Sequence, residues 1–218
     1  MNQNMNPMMN PMMNPMMNPM MNPMMNQMNN QMNNQMIMNQ MMMNQMNQMN
    51  QMNQMNYTLT RLKKEYELCS TDNDLVGIGC SFGLENGNYY SWKVTILGPK
   101  GTPYEGGIFT IKISFPKNYP MYGAEFKFVN KIYHVNVDFR PNGDKGHICL
   151  SSLNEWRTTG KVASKPGYGV KQALFDIFCL FHNQGLESPY DTSMVEQYKN
   201  RRDEFERIAK EWTKQYSS

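Results

Sequence analysis

Residues 91–120 read SWKVTILGPKGTPYEGGIFTIKISFPKNYP, and this stretch decides the fold. From Ile108 to Phe115 apolar and polar residues alternate, which is the period of a strand with one buried face. A β-prone run at 89–98 precedes it across a loop rich in Gly and Pro, and "PKNYP" at 116–120 turns the chain after it. The stretch therefore predicts two neighbouring antiparallel strands.

Two further runs extend this pair to a sheet of four strands. Upstream, "VGIGCSFG" at 76–83 is followed by "ENGN" at 85–88, and an Asn-Gly between β-prone runs is typical of a hairpin turn. Downstream, "EFKFV" at 125–129 carries Phe126 and Phe128 on one face. The four runs follow one another along the chain, as in a meander.

Helical patterns lie on both sides of these strands. Residues 57–68 place apolar side chains at helical spacing, and after Lys171 the chain changes from strand to helix periodicity. The C-terminal runs cover 170–181, 192–201 and 202–216. This segregation predicts an α+β domain, with an N-terminal helix, a four-stranded antiparallel meander sheet, and C-terminal helices packed on it.

The N-terminal segment differs sharply in composition from this domain. Residues 1–56 contain only Met, Asn, Gln, Pro and one Ile, in short repeats without any charge. Such repeats offer no face to bury, so they cannot recover an ordering entropy of roughly 1–2 kcal/mol per residue. We predict a disordered low-complexity tail at 1–56 and a single core domain at 57–218. The tail is either an incidental repeat or a segment that associates through amide ladders.

Charge and cysteine usage exclude several classes of function. The chain carries a net charge of +3, and its basic residues alternate with acidic ones, so no nucleic-acid partner is predicted. No run of about 20 apolar residues exists, so no membrane association is predicted. The four cysteines form no CxxC pair and no secretory signal precedes them, which indicates a reducing compartment, the cytoplasm and/or the nucleus.

Residues 134–150, HVNVDFRPNGDKGHICL, hold the reactive side chains. A zinc site needs about four ligands, and His134, His147 and Cys149 supply three, so we predict no metal. A cysteine hydrolase would need His147 or the distant His182 as an oriented base. A third reading makes Cys149 a small core residue. The same core role is predicted for the remaining cysteines, Cys69, Cys80 and Cys179.

Several motifs, taken in chain order, resemble those of ubiquitin-conjugating enzymes. Residues 91–120 resemble the family's second and third strands and its Tyr-Pro turn. "KIYHVNV" at 131–137 stands where the family has His-Pro-Asn, and "GHICL" at 146–150 resembles its Gly-x-Ile-Cys-Leu. Trp156 follows the cysteine, and "EFERIAKEWTKQY" at 204–216 resembles the last helix. The resemblance covers essentially all of the core domain.

The resemblance implies a role for each matched residue. Cys149 would accept the carboxyl terminus of ubiquitin as a thioester and pass it to a substrate lysine or to a ligase. Asn136 would stabilise the oxyanion of aminolysis, or would instead shape its loop. His134 and Trp156 would support the site structurally. His147 is not required, because a thiol is nucleophilic without an adjacent base.

The family's acidic Asp-Asp-Pro-like loop corresponds to "LESPY" at 186–190. Glu187 and Ser188 would therefore position and desolvate the incoming lysine amine. Serine occupies this place in some relatives, and its lack of a carboxylate leaves the handling of the amine open.

The resemblance also implies partners. They are ubiquitin or a ubiquitin-like modifier, an activating enzyme, ubiquitin ligases and protein substrates. Arg61, Lys64 and Met121 would face the ligase. No cofactor is expected, because ATP is used by the activating enzyme. Two other readings are a catalytically silent variant that only binds ubiquitin or a ligase, and a scaffold that acts through its tail.

The sequence departs from the family pattern near the site. Val135 replaces the motif's proline and adds a backbone N–H that needs a partner. Thirteen positions separate Asn136 from Cys149, more than is usual, and the segment between Trp156 and Lys171 is also longer. These changes raise the question of whether Asn136 reaches the thioester.

Overall fold

The computed structural model describes residues 21–187 and 189–217. Within them, six helices and four strands follow one another along the chain. Their bounds are α1 Met21–Ser70, α2 Asn73–Gly77, β1 Ser81–Glu85, β2 Asn88–Leu97, β3 Ile108–Ser114, β4 Glu125–Phe128, α3 Ser151–Thr159, α4 Val170–His182, α5 Thr192–Asn200 and α6 Arg202–Tyr216.

The four strands form one antiparallel sheet in the order β1-β2-β3-β4. Trp92 of β2 pairs with Ile113 of β3, which pairs in turn with Phe126 of β4. Alternate residues of these strands are buried against the helices, so one face of the sheet forms the core. The fully buried members include Trp92, Val94, Ile96, Phe109, Ile111, Ile113, Leu174, Ile177, Phe205 and Ala209. The predicted α+β fold with a meander sheet is confirmed.

Helix α1 begins inside the segment that was predicted to be disordered. Residues 21–56 are helical, which differs from that prediction, and residues 1–20 lie outside the described residues. Met and Gln have high helix propensity, and a helix satisfies its own backbone hydrogen bonds without burying a face. The side chains of 23–53 are all exposed, so no core packing holds this part.

The described residues divide into two units, with the division between Gln51 and Met52. In the second unit, α1 is fixed by two buried polar residues. The hydroxyl of Thr58 donates to the carbonyl oxygen of Tyr119 at 2.8 Å, and Glu65 Oε2 accepts from the hydroxyl of Tyr119 at 2.6 Å. The other carboxylate oxygen of Glu65 accepts from the backbone N–H of Val170, the first residue of α4, at 3.3 Å.

Two short helices were not predicted. Helix α2 occupies part of the run assigned to the first strand, because Asp72 caps it by accepting from the backbone N–H groups of Asp74 and Leu75. The strand β1 therefore starts only at Ser81. Helix α3 follows Cys149 directly and ends at Gly160, whose φ of +71° is the left-handed conformation that glycine adopts readily.

Candidate active site

Cys149 lies where an extended segment meets helix α3. Its backbone N–H donates to the carbonyl oxygen of Asn136 at 2.8 Å, and the preceding Ile148 forms an isolated β-bridge with Val137. Ile148 is buried, whereas Cys149 is half-buried. Helix α3 begins two residues later at Ser151. The thiol is therefore accessible at a position fixed on both sides.

Burial raises the pKa of the Cys149 thiol above its ordinary value. The thiolate is the nucleophilic form, and an ordinary thiol is only a few per cent ionised at pH 7. The free protein therefore keeps the Cys149 thiol more firmly protonated than an ordinary thiol.

Asn136 is buried next to the cysteine and contacts a different loop. Its side-chain Nδ2 donates to the carbonyl oxygen of Gly185 at 2.7 Å, and its Oδ1 accepts from the N–H of Gly185 at 2.8 Å. These contacts fasten the loop that carries Glu187 to the segment beside Cys149. They are the contacts expected of a loop-shaping residue, and the oxyanion role stays a prediction.

His134 is buried and both ring nitrogens are engaged. Nδ1 accepts from the backbone N–H of Asn136 at 3.0 Å, so Nε2 carries the proton and donates to the carbonyl oxygen of Leu180 at 2.9 Å. Burial lowers the pKa of His134 to about 4, which keeps the ring neutral at pH 7. These contacts tie the motif to helix α4.

The backbone N–H that Val135 adds to the motif has a hydrogen-bond acceptor, as the sequence required. It donates to Oε1 of Gln184 at 2.8 Å, and Nε2 of Gln184 donates to the hydroxyl of Tyr104 at 2.9 Å. The Tyr104 hydroxyl in turn donates to the carbonyl oxygen of Tyr133 at 2.9 Å. The replacement of proline by valine is therefore accommodated without a buried unsatisfied donor.

The long segment between Asn136 and Cys149 folds around one carboxylate. Asp138 is buried and accepts from Nε and Nη2 of Arg140, both at 2.9 Å, and from the backbone N–H of Asp144 at 3.0 Å. Hydrogen bonding to Arg140 lowers the pKa of the Asp138 carboxyl to about 2. The segment is therefore a compact, internally bonded loop, and it leaves Asn136 and Cys149 adjacent.

Glu187 and Ser188 were predicted to handle the lysine amine. Glu187 is exposed in the loop that begins after α4, two residues beyond Gly185. Ser188 lies outside the described residues. The structure thus places Glu187 on the loop that Asn136 fastens, and the roles of both residues stay predictions.

Tyr190 was not predicted, and it lies at the site. Its hydroxyl is hydrogen-bonded to Nδ1 of His147, two residues before Cys149. Burial, and after it the negative charge of a Cys149 thiolate, raises the pKa of Tyr190 to about 12. Tyr190 is 41 residues from Cys149 along the chain. The only sequence signal for it was its place at the end of the run "LESPY" at 186–190.

Comparison with known proteins shows the family of this chain. The sequence model for ubiquitin-conjugating enzyme matches residues 61–213, which is most of the chain. The chain belongs to the ubiquitin-conjugating enzyme family. Family membership supports a transferase, and it implies partners of three general classes, namely ubiquitin, activating enzymes and ligases.

Individual family members are similar over most of their length. A Dictyostelium discoideum protein described as ubiquitin conjugating enzyme E2 B is 33% identical over 138 residues, which are 63% of this chain and 85% of the relative. An Arabidopsis thaliana protein assigned as ubiquitin-conjugating enzyme E2 31 is 32% identical over 158 residues, which are 72% of this chain and 92% of the relative.

Solved structures show the same fold. A Plasmodium yoelii protein assigned as a ubiquitin-conjugating enzyme has a TM-score of 0.61 at 32% identity, covering 74% of this chain and 96% of its own. The conjugating domain of a Toxoplasma gondii ubiquitin-conjugating enzyme has a TM-score of 0.59 at 31% identity, covering 73% and 99%. The described fold is thus that of ubiquitin-conjugating enzymes.

The residues predicted to face a ligase in this family member are exposed. Arg61 and Lys64 lie on the outer side of α1, and Nε of Arg61 contacts Oε2 of Glu65 at 3.2 Å. Met121 follows the cis Tyr119-Pro120 bond and is 65% exposed. Trp156, by contrast, is buried, and its carbonyl oxygen accepts from the N–H of Gly123 at 2.9 Å.

The other cysteines of this family member divide into two groups. Cys69 and Cys80 are buried as predicted, and burial raises the pKa of each thiol to about 12. Cys179 is exposed, so its predicted core role is wrong. It lies on the outer side of α4, where the apolar sequence "DIFCLF" suggested burial on most sides.

The described residues contain neither a candidate metal cluster nor a membrane-spanning helix. No group of three or more His, Cys, Asp or Glu side chains in the described part could hold a metal ion. Among the helices of residues 21–187 and 189–217, none is both long and apolar enough to cross a membrane.

Proposed function

We propose that this protein accepts the C-terminal carboxyl of ubiquitin on Cys149 and transfers it to a lysine or to a ligase cysteine. The observation that carries the proposal is the place of the Cys149 thiol. It is half-exposed, and it lies between the backbone of Asn136 and the start of α3. The Asn136 amide connects this place to the loop of Glu187 through Gly185.

The charging step exchanges one thioester for another. The sulfur of Cys149 attacks the carbonyl carbon of the thioester on the activating enzyme, and the activating enzyme's cysteine leaves as a thiolate. The two thioesters have similar energies, so no cofactor is needed on this chain and ATP is consumed by the activating enzyme. Because burial raises the pKa of the Cys149 thiol, the thiol is mostly protonated in the free protein, and its proton passes to the leaving thiolate as the new thioester forms.

The discharge step adds an amine to the Cys149 thioester. A lysine with a pKa near 10.4 is mostly protonated at pH 7, so the site has to favour its neutral form. Glu187 and Ser188 are the residues that we assign to positioning this amine. Asn136 is assigned to the oxyanion, where one amide donor is worth about 2.7–4 kcal/mol in comparable sites.

Arg61, Lys64 and Met121 form the surface that we assign to ligase binding. All three are exposed, and they lie on α1 and on the turn after Tyr119-Pro120. The cargo is ubiquitin or a ubiquitin-like modifier, and the compartment is the cytoplasm and/or the nucleus. A silent variant is disfavoured, because the departure at Val135 leaves its N–H bonded to Gln184.

A charging assay with a panel of modifiers tests the proposal. The protein is mixed with ATP and with ubiquitin or each ubiquitin-like modifier, together with the matching activating enzyme, and run on a non-reducing gel. The expected result is an adduct that a thiol reductant removes and that Cys149→Ala abolishes. Absence of an adduct with every modifier would overturn the assignment as an active enzyme.

A further inference from the structure

Tyr190 and His147 form a pair beside the nucleophile. The Tyr190 hydroxyl is hydrogen-bonded to His147 Nδ1, and the two rings lie 5.8 Å apart at an interplanar angle of 88°. His147 is separated from Cys149 only by Ile148. Both partners are half-buried, so they are neither core residues nor free surface groups.

Tyr190 is held in place by the long loop. Its backbone N–H donates to the carbonyl oxygen of Val135 at 3.1 Å, and its carbonyl oxygen accepts from Nη1 of Arg140 at 3.1 Å. The guanidinium of Arg140 also lies 5.4 Å from the centre of the tyrosine ring. Asp138 fixes Arg140 through two hydrogen bonds. The segment that lengthens the Asn136–Cys149 spacing thus builds a support for Tyr190.

The pKa values of Tyr190 and His147 decide which of the two side chains donates the hydrogen bond. The high pKa of Tyr190 keeps its hydroxyl protonated, so Tyr190 donates and His147 Nδ1 accepts. Burial lowers the pKa of His147 below its ordinary value, so the ring is neutral at pH 7. The charged groups around His147 are Asp144 on its own loop, Arg157 on α3, and Glu125 and Lys127 on β4.

We propose that Tyr190 and His147 together accept the proton that a lysine amine loses as it attacks the Cys149 thioester. The amine nitrogen bonds to the carbonyl carbon, and the C–S bond breaks to release the Cys149 thiolate. The ammonium proton moves to the Tyr190 oxygen as the Tyr190 proton moves to His147 Nδ1. His147 is then an imidazolium, which returns its proton to solvent.

This inference rests on the proposed function. It provides a proton acceptor where the loop at 186–190 has no carboxylate at the family's acidic position. The family's acidic position corresponds to Ser188, which carries no carboxylate. A neutral imidazole reached through a tyrosine hydroxyl provides a proton acceptor in its place. His147 acts through Tyr190 and is therefore a positioning residue in this scheme.

The test compares how two nucleophiles attack the same ubiquitin thioester on Cys149. Ubiquitin is loaded on wild type, Tyr190→Phe and His147→Asn, and the thioester is then chased with free lysine or with a small thiol. The thiol attacks as its thiolate and delivers no proton, whereas lysine does. Tyr57→Phe and His182→Gln are the matched controls, since both residues are exposed and lie outside the site.

We expect discharge to lysine to fall on the order of 10²-fold in both variants, and discharge to the thiol to remain within about twofold. The double variant should be no slower than either single one, because the pair acts as a unit. The ratio of wild-type to variant rates should approach one as the pH falls below the lowered pKa of His147, because the ring is then protonated in the wild type and accepts no proton.

Equal slowing with both nucleophiles, or unchanged discharge to lysine in Tyr190→Phe, would overturn the inference. The Tyr190→Phe variant keeps the ring and its contacts, so it remains informative even if His147→Asn does not fold. Failure of the wild type to charge would instead overturn the proposed function, and the two failures are therefore distinguishable.

Discussion

The side-chain amide of Asn136 and the backbone of Gly185 are joined by two hydrogen bonds, at 2.7 and 2.8 Å. They connect the segment beside Cys149 to the loop that carries Glu187 and Tyr190. The Asn136 side chain thus holds this loop beside Cys149, together with the contacts of Tyr190 with Val135 and Arg140. Its loop-shaping role and its predicted oxyanion role can be separated by measuring stability and the two reaction steps independently.

Asn136→Ala tests this separation. The free energy of unfolding should fall by about 1–3 kcal/mol, because both polar groups of Gly185 lose their partner. Charging should persist, while discharge to free lysine should slow by about 10²–10³-fold if the amide also serves the oxyanion. Urea unfolding and single-turnover assays measure these quantities.

Asn183→Ala is the matched control for Asn136→Ala, because Asn183 is exposed on the same loop. It should change neither stability nor discharge appreciably. If Asn136→Ala slows charging and discharge equally, the oxyanion role is contradicted and only the loop-shaping role remains.

A double-mutant cycle tests the partnership of Val135 and Gln184. Gln184→Leu should cost about 1–3 kcal/mol of stability, because the Val135 N–H is left without its acceptor. In the Val135→Pro background this N–H is absent, so the same substitution should cost less. We expect a coupling energy of at least about 0.5 kcal/mol, measured by denaturant unfolding of the four proteins.

The contact of Gln184 with Tyr104 is lost in both backgrounds, so it cancels in the cycle. Additive losses would contradict the account of how valine replaces the proline of the motif.

The pH dependence of stability should carry a contribution from His134. Its folded pKa of about 4 lies below the unfolded value near 6.5, so between these values the unfolded chain binds more protons. This contribution is therefore fully present above about pH 6.5 and is lost as the pH falls towards 4, by at most about 1.4 kcal/mol per pH unit. Urea unfolding at pH 7 and at pH 5 measures it.

NMR of the imidazole provides a direct check on His134. The ring signals should remain those of the neutral Nε2–H form down to about pH 5. A titration midpoint of the His134 ring above pH 6 would contradict a buried ring with hydrogen bonds at both nitrogens. Subtracting the stability profile of His134→Gln isolates the contribution of this residue from those of the acidic side chains.

The sheet could be predicted from the sequence because strands and hairpin turns are encoded by neighbouring residues. Alternation from Ile108 to Phe115 and the Asn-Gly turn before β2 each depend on neighbouring residues only. Helix α3 was missed because its apolar residues are too few to mark a periodic face. The helix at 21–56 was missed because the prediction required a face that could be buried against a core. The side chains of 23–53 are exposed, so this helix forms without such a face.

Cys149, Asn136 and His134 were predicted as site residues from their motifs, and the structure places Cys149 and Asn136 in backbone contact. Gln184 and Tyr190 could not be predicted, because each lies more than 30 residues from its partner and no local pattern encodes the contact. Cys179 was misplaced because an apolar run on a buried helix does not reveal which side faces outward.

The most direct test of the central claim uses Cys149→Ser in the full chain with activating enzyme, ATP and ubiquitin. The account predicts an adduct that resists thiol reductant but is cleaved by hydroxide, because a serine forms an oxygen ester where cysteine forms a thioester. Cys179→Ser changes the exposed cysteine of α4, and this variant should retain the reductant-sensitive adduct of the wild type. A reductant-sensitive adduct in Cys149→Ser would contradict the account, because it would place the thioester on another cysteine.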